Sequence, residues 1–153
     1  MSKAALHVFD FDDTLFDAPT PPSKEAGMWW ADPLLSLSPP AVPEGAERSF
    51  QLPAASVAKK SLRDSDVRAV VVTGRPDVPG MRERIAEILE AMGLRFAALY
   101  LKPERGSTPD FKRRTVLALL SDMPSVKTVE MWDDLADNLA AVERATRAQG
   151  VEV

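Results

Sequence analysis

Three carboxylates fall within four residues at Asp10-Phe11-Asp12-Asp13, and a hydroxyl follows at Thr14. Like charges this close repel and shift one another's proton affinities, so the group is costly without a cation beside it. A hard divalent ion with oxygen ligands, most simply Mg²⁺, is the remedy. Alternation along an extended chain puts Asp10 and Asp12 on the same side, where two carboxylates can divide nucleophilic and acid–base work. The other reading is an acidic turn at a strand end, or a helix cap. A second acidic group, Asp133-Asp134 with Asp137 one turn on, is by itself a solvated helix start that complements the helix dipole. Beside the first group it becomes the candidate second half of a metal site. Thr73-Gly74-Arg75 offers a hydroxyl, backbone N–H groups at a turn and a guanidinium suited to phosphate oxygens. Alone, it is a plain turn. Lys112 can neutralise a phosphate or a carboxylate, or be a surface lysine.

These residues sit where elements end. Leu6–Phe9 is an apolar run stopping at Asp10, Ala69–Val72 stops at Thr73, Phe96–Leu101 at Lys102-Pro103, and Val126–Trp132 at Asp133. Each reads as a buried strand. Helical patterns lie between them. Ile85, Ile88, Leu89 and Met92 mark 81–92, with Gly93 as a stop. Thr108-Pro109-Asp110 reads as an N-cap, a first-position proline and an acidic first turn, opening a helix to about Ser121. Leu135, Leu139 and Val142 mark the last helix, ended by Gly150, and 54–65 reads as a helix leading into the second strand. The alternation predicts an α/β fold, a Rossmann-like three-layer α/β/α sandwich with a mostly parallel central sheet. Ligands in such folds bind beyond the carboxyl ends of the strands, where all four polar clusters fall.

At 153 residues the chain is expected to be a single domain, 1–153. One stretch breaks the alternation: residues 17–53 hold prolines 19, 21, 22, 33, 39, 40, 43 and 53, together with Trp29 and Trp30. That density excludes regular helix and central strand. An ordered insertion packing both tryptophans against the domain is preferred to a loose linker.

Composition narrows the chemistry. The absence of cysteine excludes a disulfide scaffold, a thiolate metal site and a cysteine nucleophile. A lone histidine, His7, argues against a multi-histidine zinc site or a Ser-His-Asp triad. With 19 Lys+Arg against 23 Asp+Glu, the chain lacks the global charge of a duplex-DNA binder. A local excess of cations at 102, 105, 112, 113 and 114, against Glu104 and Asp110, could steer a nucleic-acid backbone. The start MSKAALHVFDFDD reaches acidic residues too soon for a signal peptide, and no apolar run approaches the ~20 residues of a membrane span. The expectation is a cytoplasmic protein with no membrane partner.

The order of the motifs is informative. DxDxT after the first strand, Thr after the second, Lys at a helix start and DD after a late strand resembles the haloacid dehalogenase-like (HAD) phosphohydrolase superfamily. VFDFDDTLF at 8–16 and VVVTGR at 70–75 carry that resemblance. A response-regulator receiver uses similar residues, but its acidic pair comes first and its lysine last. More narrowly, MWWADPLL, VVTGR, LKP and STPDFK look like the Swiss Army Knife RNA repair-like HAD family. GSTPDFK at 106–112 is also similar to the 3′-phosphatase domains of phage polynucleotide kinases, with Ser107 in place of an Asp. Asp13 stands where many HAD enzymes have Gly.

The resemblance implies Asp10 as nucleophile, forming an aspartyl-phosphate, and Asp12 as the acid–base group. It implies Mg²⁺ held by Asp10, the Asp12 backbone carbonyl and Asp133, with Asp134 as a further or water-mediated ligand. Thr73 and Lys112 would bind the transferring phosphoryl group, with Thr14, Gly74, Arg75 and Lys102 completing the substrate site. Lys102 rivals Lys112, since many HAD enzymes carry their lysine in a KP dipeptide. Lys112 lies 21 residues before Asp133 and Lys102 lies 31 before it; the shorter span suits one helix and one strand, so Lys112 is preferred. There is no room for a large cap between Thr73 and Lys112, and 17–53 is a lid at most. An open site favours a macromolecular end, here a single-stranded nucleic-acid end with a 3′-phosphate, whose bases Trp29 and Trp30 could stack. Small phosphoesters, phosphoproteins and a silent binding module are the competing readings.

Overall fold

Alternation along the strands decides which helices cover which face of the sheet. In β1 (Ala5–Phe9) and β2 (Val67–Pro76), Leu6, Val8, Val70 and Val72 share one buried cluster, while Phe9, Ala69 and Val71 belong to another. The first cluster is closed by Val116, Leu119 and Leu120 of α5 (Thr108–Asp122) and Val142 of α6 (Ala136–Ala148). The second is closed by Ala55 and Ala58 of α3 (Ala54–Arg63) and by Met81, Ile85, Ile88 and Leu89 of α4 (Met81–Ala91). Period-2 alternation in strands meeting period-3.6 stripes on helices gives a three-layer α/β/α architecture. The computed structural model describes residues 2–21 and 26–152. Among the described residues, no helix is long and apolar enough to cross a membrane.

The sheet has four strands in the order β3-β2-β1-β4, all parallel, where β3 is Ala98–Lys102 and β4 is Thr128–Trp132. Phe9 pairs with Val71 on one side and Trp132 on the other, so the first and last strands end level. That register sets Asp10 beside Asp133. Phe9 and Trp132 also stack, their rings 4.5 Å apart and nearly coplanar.

Several boundaries differ from expectation. Thr73-Gly74-Arg75 is strand rather than turn: β2 runs on to Pro76, and a register shift between Thr73 and Pro76 lets Pro76 pair with Lys102. Such an irregularity accommodates a proline that has no N–H to give the ladder. The cap of α5 is Ser107, one residue before the expected Thr108; its Oγ accepts from Asp110 N at 3.3 Å. The third strand begins at Ala98 rather than Phe96, and the fourth at Thr128 rather than Val126.

The proline-rich stretch holds helix after all. A turn and a half, α1 (Ala26–Ala31), fits between prolines, and α2 (Pro33–Ser36) begins with Pro33, where a missing N–H costs nothing. Asp32 caps α2 by accepting from Leu34 N at 2.9 Å. A 3₁₀ turn follows at Glu47–Phe50, and Leu37 and Val42 reach the cluster under α3 and α4. Pro22, within the same stretch, lies outside the described residues.

Candidate active site

The end of β1 delivers Asp10, whose N–H donates to Trp132 O at 2.9 Å. The chain then folds back tightly: Leu15 N and Phe16 N both donate to Phe11 O, and Asp13 N donates to Phe16 O. Asp13 takes a left-handed backbone (φ 58°), the conformation that favours glycine. Its carboxylate accepts from Ala18 N at 3.2 Å, a local bond that makes the conformation tolerable for Asp.

Asp10 is 6% exposed and Lys112 is 1% exposed, so both charges have left water. Lys112 reaches them from the fifth residue of α5, one turn in from its start. Its Nζ lies 2.9 Å from Asp10 Oδ1 and 2.6 Å from Asp133 Oδ2. Burying an ammonium is tolerated only with such partners. Burial pushes the Asp10 carboxyl up to about 8; Lys112 pulls it down, and Asp133 and Asp134 push it up further. Burial also raises the Asp13 carboxyl above its ordinary value, and Asp134, Asp12 and Asp17 add to it.

Asp133 is fixed by two groups besides Lys112. Leu135 N donates to Oδ1 at 3.0 Å, and Asn138 Nδ2 lies 3.1 and 3.2 Å from its two oxygens. Asn138 is 2% exposed and was missed in the sequence. It sits four residues before Val142 on the buried stripe of α6, and a polar residue there is the signal that could have found it.

One carboxylate oxygen from each of Asp10, Asp133 and Asp134 lie within 4.8 Å of one another. Three hard oxygen donors, with one ammonium already offsetting part of their charge, fit Mg²⁺. Thr14 Oγ1 and Asn138 Oδ1 are buried with no hydrogen-bond partner among the described residues, which also fits a polar ligand at this end of the sheet. Lys102 is elsewhere, at the end of β3, its Nζ donating to Pro103 O at 3.3 Å. The carboxylates therefore receive Lys112 and not Lys102.

Arg75 differs from expectation. The Asp12 carboxylate accepts a two-pronged bond from Arg75, Nε to Oδ2 at 2.8 Å and Nη2 to Oδ1 at 2.7 Å. Arg75 was expected to clamp phosphate, yet it is fully buried and its guanidinium is committed to protein partners. Thr73 is likewise buried, and its Oγ1 accepts from Arg75 N at 3.1 Å. Gly74 lies where the end of β2 meets the start of α5; a Cβ there would come 2.9 Å from Thr108 Cγ2.

The expected basic patch also changes. Lys112 is buried among carboxylates, and Arg113 and Arg114 both pair with Asp110 at 2.6 and 2.9 Å. The excess of cations at 102–114 thereby loses Lys112 and is partly offset by Asp110, which two arginines share, and by Glu104. Trp29 and Trp30 are half-buried, and the Trp30 ring lies 4.6 Å from the Arg75 guanidinium carbon.

Comparison with known proteins adds three findings. A family profile described as HAD domain family 1 in Swiss Army Knife RNA repair proteins matches residues 17–149. That span holds Thr73, Arg75, Lys112, Asp133 and Asp134, and begins just after the Asp10–Thr14 segment. Among solved structures, that of the Pnkp1/Rnl/Hen1 RNA repair complex aligns with a TM-score of 0.63 at 14% identity, covering 98% of this chain and 41% of that one. A second structure of the Pnkp1/Rnl/Hen1 complex aligns at 0.58 and 14% identity, covering 99% and 45%. The chain thus spans less than half the length of the solved chains it matches, and the likeness is one of fold. No curated protein matches.

Proposed function

The chain belongs to HAD domain family 1 in Swiss Army Knife RNA repair proteins, and we propose that it is a Mg²⁺-dependent phosphomonoesterase of the cytoplasm acting on single-stranded nucleic-acid ends bearing a 3′-phosphate. The observation that carries the reading is the buried Asp10 carboxylate facing Lys112, with Asp133 and Asp134 beside it at the carboxyl end of the sheet. The RNA repair setting of the family, and of the solved complexes the fold resembles, supports the substrate class.

In the first step an Asp10 carboxylate oxygen bonds to phosphorus in line with the leaving oxygen, whose bond to phosphorus breaks. Asp12 gives that oxygen its proton. In the second step Asp12 takes a proton from water, the water oxygen bonds to phosphorus, and the bond between Asp10 and phosphorus breaks. Lys112 and the Thr73 hydroxyl hold the transferring group from fixed positions, so they need no reorganisation as charge develops. Thr14 and Gly74 would line the phosphoryl site, and Lys102, outside it, is left to meet the rest of the substrate. Mg²⁺ held by Asp10, Asp133, Asp134 and the Asp12 backbone carbonyl would offset the repulsion between an anionic nucleophile and an anionic phosphate.

The test is phosphate release from a 3′-phosphorylated RNA oligonucleotide and from a nitroaryl phosphate, with Mg²⁺ and with chelator, for wild type and Asp10→Asn. Metal-dependent release favouring the oligonucleotide, and absent in the variant, supports the reading. Release from the aryl phosphate alone moves the substrate to small phosphoesters.

A further inference from the structure

Arg75 is 0% exposed, and its hydrogen bonds account for most of its donors. A guanidinium has five N–H groups. Nε and Nη2 grip the two Asp12 oxygens, while Nη1 donates to Trp30 O at 2.6 Å and to Ser36 Oγ at 2.7 Å. The Trp30 ring covers the guanidinium, a contact that strengthens where water is excluded. Ser36 is itself fully buried, and its hydroxyl donates to Trp30 O or Asp32 O, at 3.1 and 3.0 Å. That leaves its lone pairs turned to Arg75. The Asp12 side chain, by contrast, is 15% exposed.

We infer that Ser36 and Trp30, in the short helical layer inserted after the first motif, are positioning residues that aim the Asp12 carboxylate through Arg75. Asp32 caps α2, α2 orients Ser36, Ser36 and the Trp30 carbonyl fix Nη1, and the planar guanidinium transmits that fix to both Asp12 oxygens. Rotation of Asp12 would break two charge-assisted bonds, and rotation of Arg75 would leave buried N–H groups without partners. An arginine so committed is a strut and not a phosphate clamp. The inference rests on the proposed role of Asp12 as acid–base group.

The experiment compares two oligonucleotides that differ in one atom, one with a 3′-phosphate and one with sulfur in the bridging position. A thiolate leaves without needing a proton, so in the first step, which kcat/KM reports, only the oxygen substrate depends on the aim of Asp12; the second step is common to both. Wild type, Ser36→Ala, Ser36→Thr, Trp30→Leu and Arg75→Lys are assayed for kcat and KM on both, with thermal melts alongside. General acid catalysis contributes about 10²–10⁴-fold, so Ser36→Ala should lower kcat/KM on the oxygen substrate about tenfold or more. On the sulfur substrate the fall in kcat/KM should be several-fold smaller. Ser36→Thr, which keeps the hydroxyl, should restore most of the difference. If Arg75→Lys does not fold, the Ser36 pair decides. Equal losses of kcat/KM on both substrates, or none on either, would overturn the inference while leaving the phosphatase reading intact. Wild type inactive on both oligonucleotides but active on simple esters would instead overturn the nucleic-acid reading, and the same ratio is then read from alkyl and nitroaryl phosphates. Inactivity on every ester would overturn both.

Discussion

Lys112 Nζ rests 2.9 Å from Asp10 Oδ1, and the lysine side chain is 1% exposed. The same ammonium touches Asp133 at 2.6 Å, so one cation joins the end of β1 to the end of β4 by way of α5. Removing it strands two carboxylates. Breaking a buried pair by deleting one partner costs about 3–5 kcal/mol, so Lys112→Met should melt well below wild type. Added Mg²⁺ should recover part of the loss, because a divalent ion replaces the missing charge. Thermal melts with chelator and with Mg²⁺ check this, and equal losses in the two conditions would contradict it.

The Asp10 carboxyl ties stability to pH. Its proton affinity rises from 3.8 in the ordinary range to about 8 through burial. Between those values the folded metal-free protein holds a proton that the unfolded chain has released, so stability falls as pH rises, and this contribution is lost above about 8. His7 acts in the other direction at lower pH: burial lowers it from 6.5, so its contribution grows as pH rises toward 6.5. The Asp10 slope is therefore best read from about pH 7 to about pH 8. In chelator the melting temperature should drop across that window. Mg²⁺ should stabilise more at the upper end, where no proton competes. Asp10→Asn should flatten both effects; a wild-type slope of the opposite sign would rule out this account of Asp10.

Asn138 orients Asp133 without reaching the reaction. Residues that hold a metal ligand in place are typically worth about 10–100-fold in metal affinity. Asn138→Leu should weaken Mg²⁺ or Mn²⁺ binding by a factor in that range, measured by calorimetric titration. Unaltered affinity would reduce Asn138 to a packing residue.

Gly74 is a matter of space. A Cβ would press on Thr108 Cγ2 at 2.9 Å and Oγ1 at 3.1 Å, at the start of α5, one turn before Lys112. Overpacking of this kind costs about 1–3 kcal/mol, so Gly74→Ala should be destabilised and slowed. Thr108→Ser deletes the offending methyl and should relieve the Ala variant more than it helps wild type. A double-mutant cycle in urea measures that coupling, and strict additivity would show the contact to be irrelevant.

Much of this was legible because strands end where chemistry begins. The runs before Asp10, Thr73 and Asp133 mark parallel strands, and parallel strands of similar length bring their carboxyl ends together. The distance from Lys112 to Asp133, one helix and one strand, returns the chain to the same end. Arg75 was not legible in this way. Besides Asp12, its partners are a backbone carbonyl at Trp30 and a hydroxyl at Ser36, more than 35 residues away, and neither leaves a pattern in the sequence. The helices at 26–36 were hidden by the surrounding prolines, though prolines forbid helix only at interior positions and Pro33 stands at a first turn. The strand character of Thr73–Pro76 was hidden for a related reason, since Gly and Pro punctuate turns more often than they continue strands.

The account turns on Asp10 carrying a phosphoryl group, and the direct measurement is acid quench of wild type during turnover, followed by mass analysis of its peptides. A phosphoryl adduct on the peptide containing Asp10, labile to hydroxylamine and absent from Asp10→Asn, is the predicted result. Sustained phosphate release with no adduct on that peptide, or full turnover by Asp10→Asn, would contradict it.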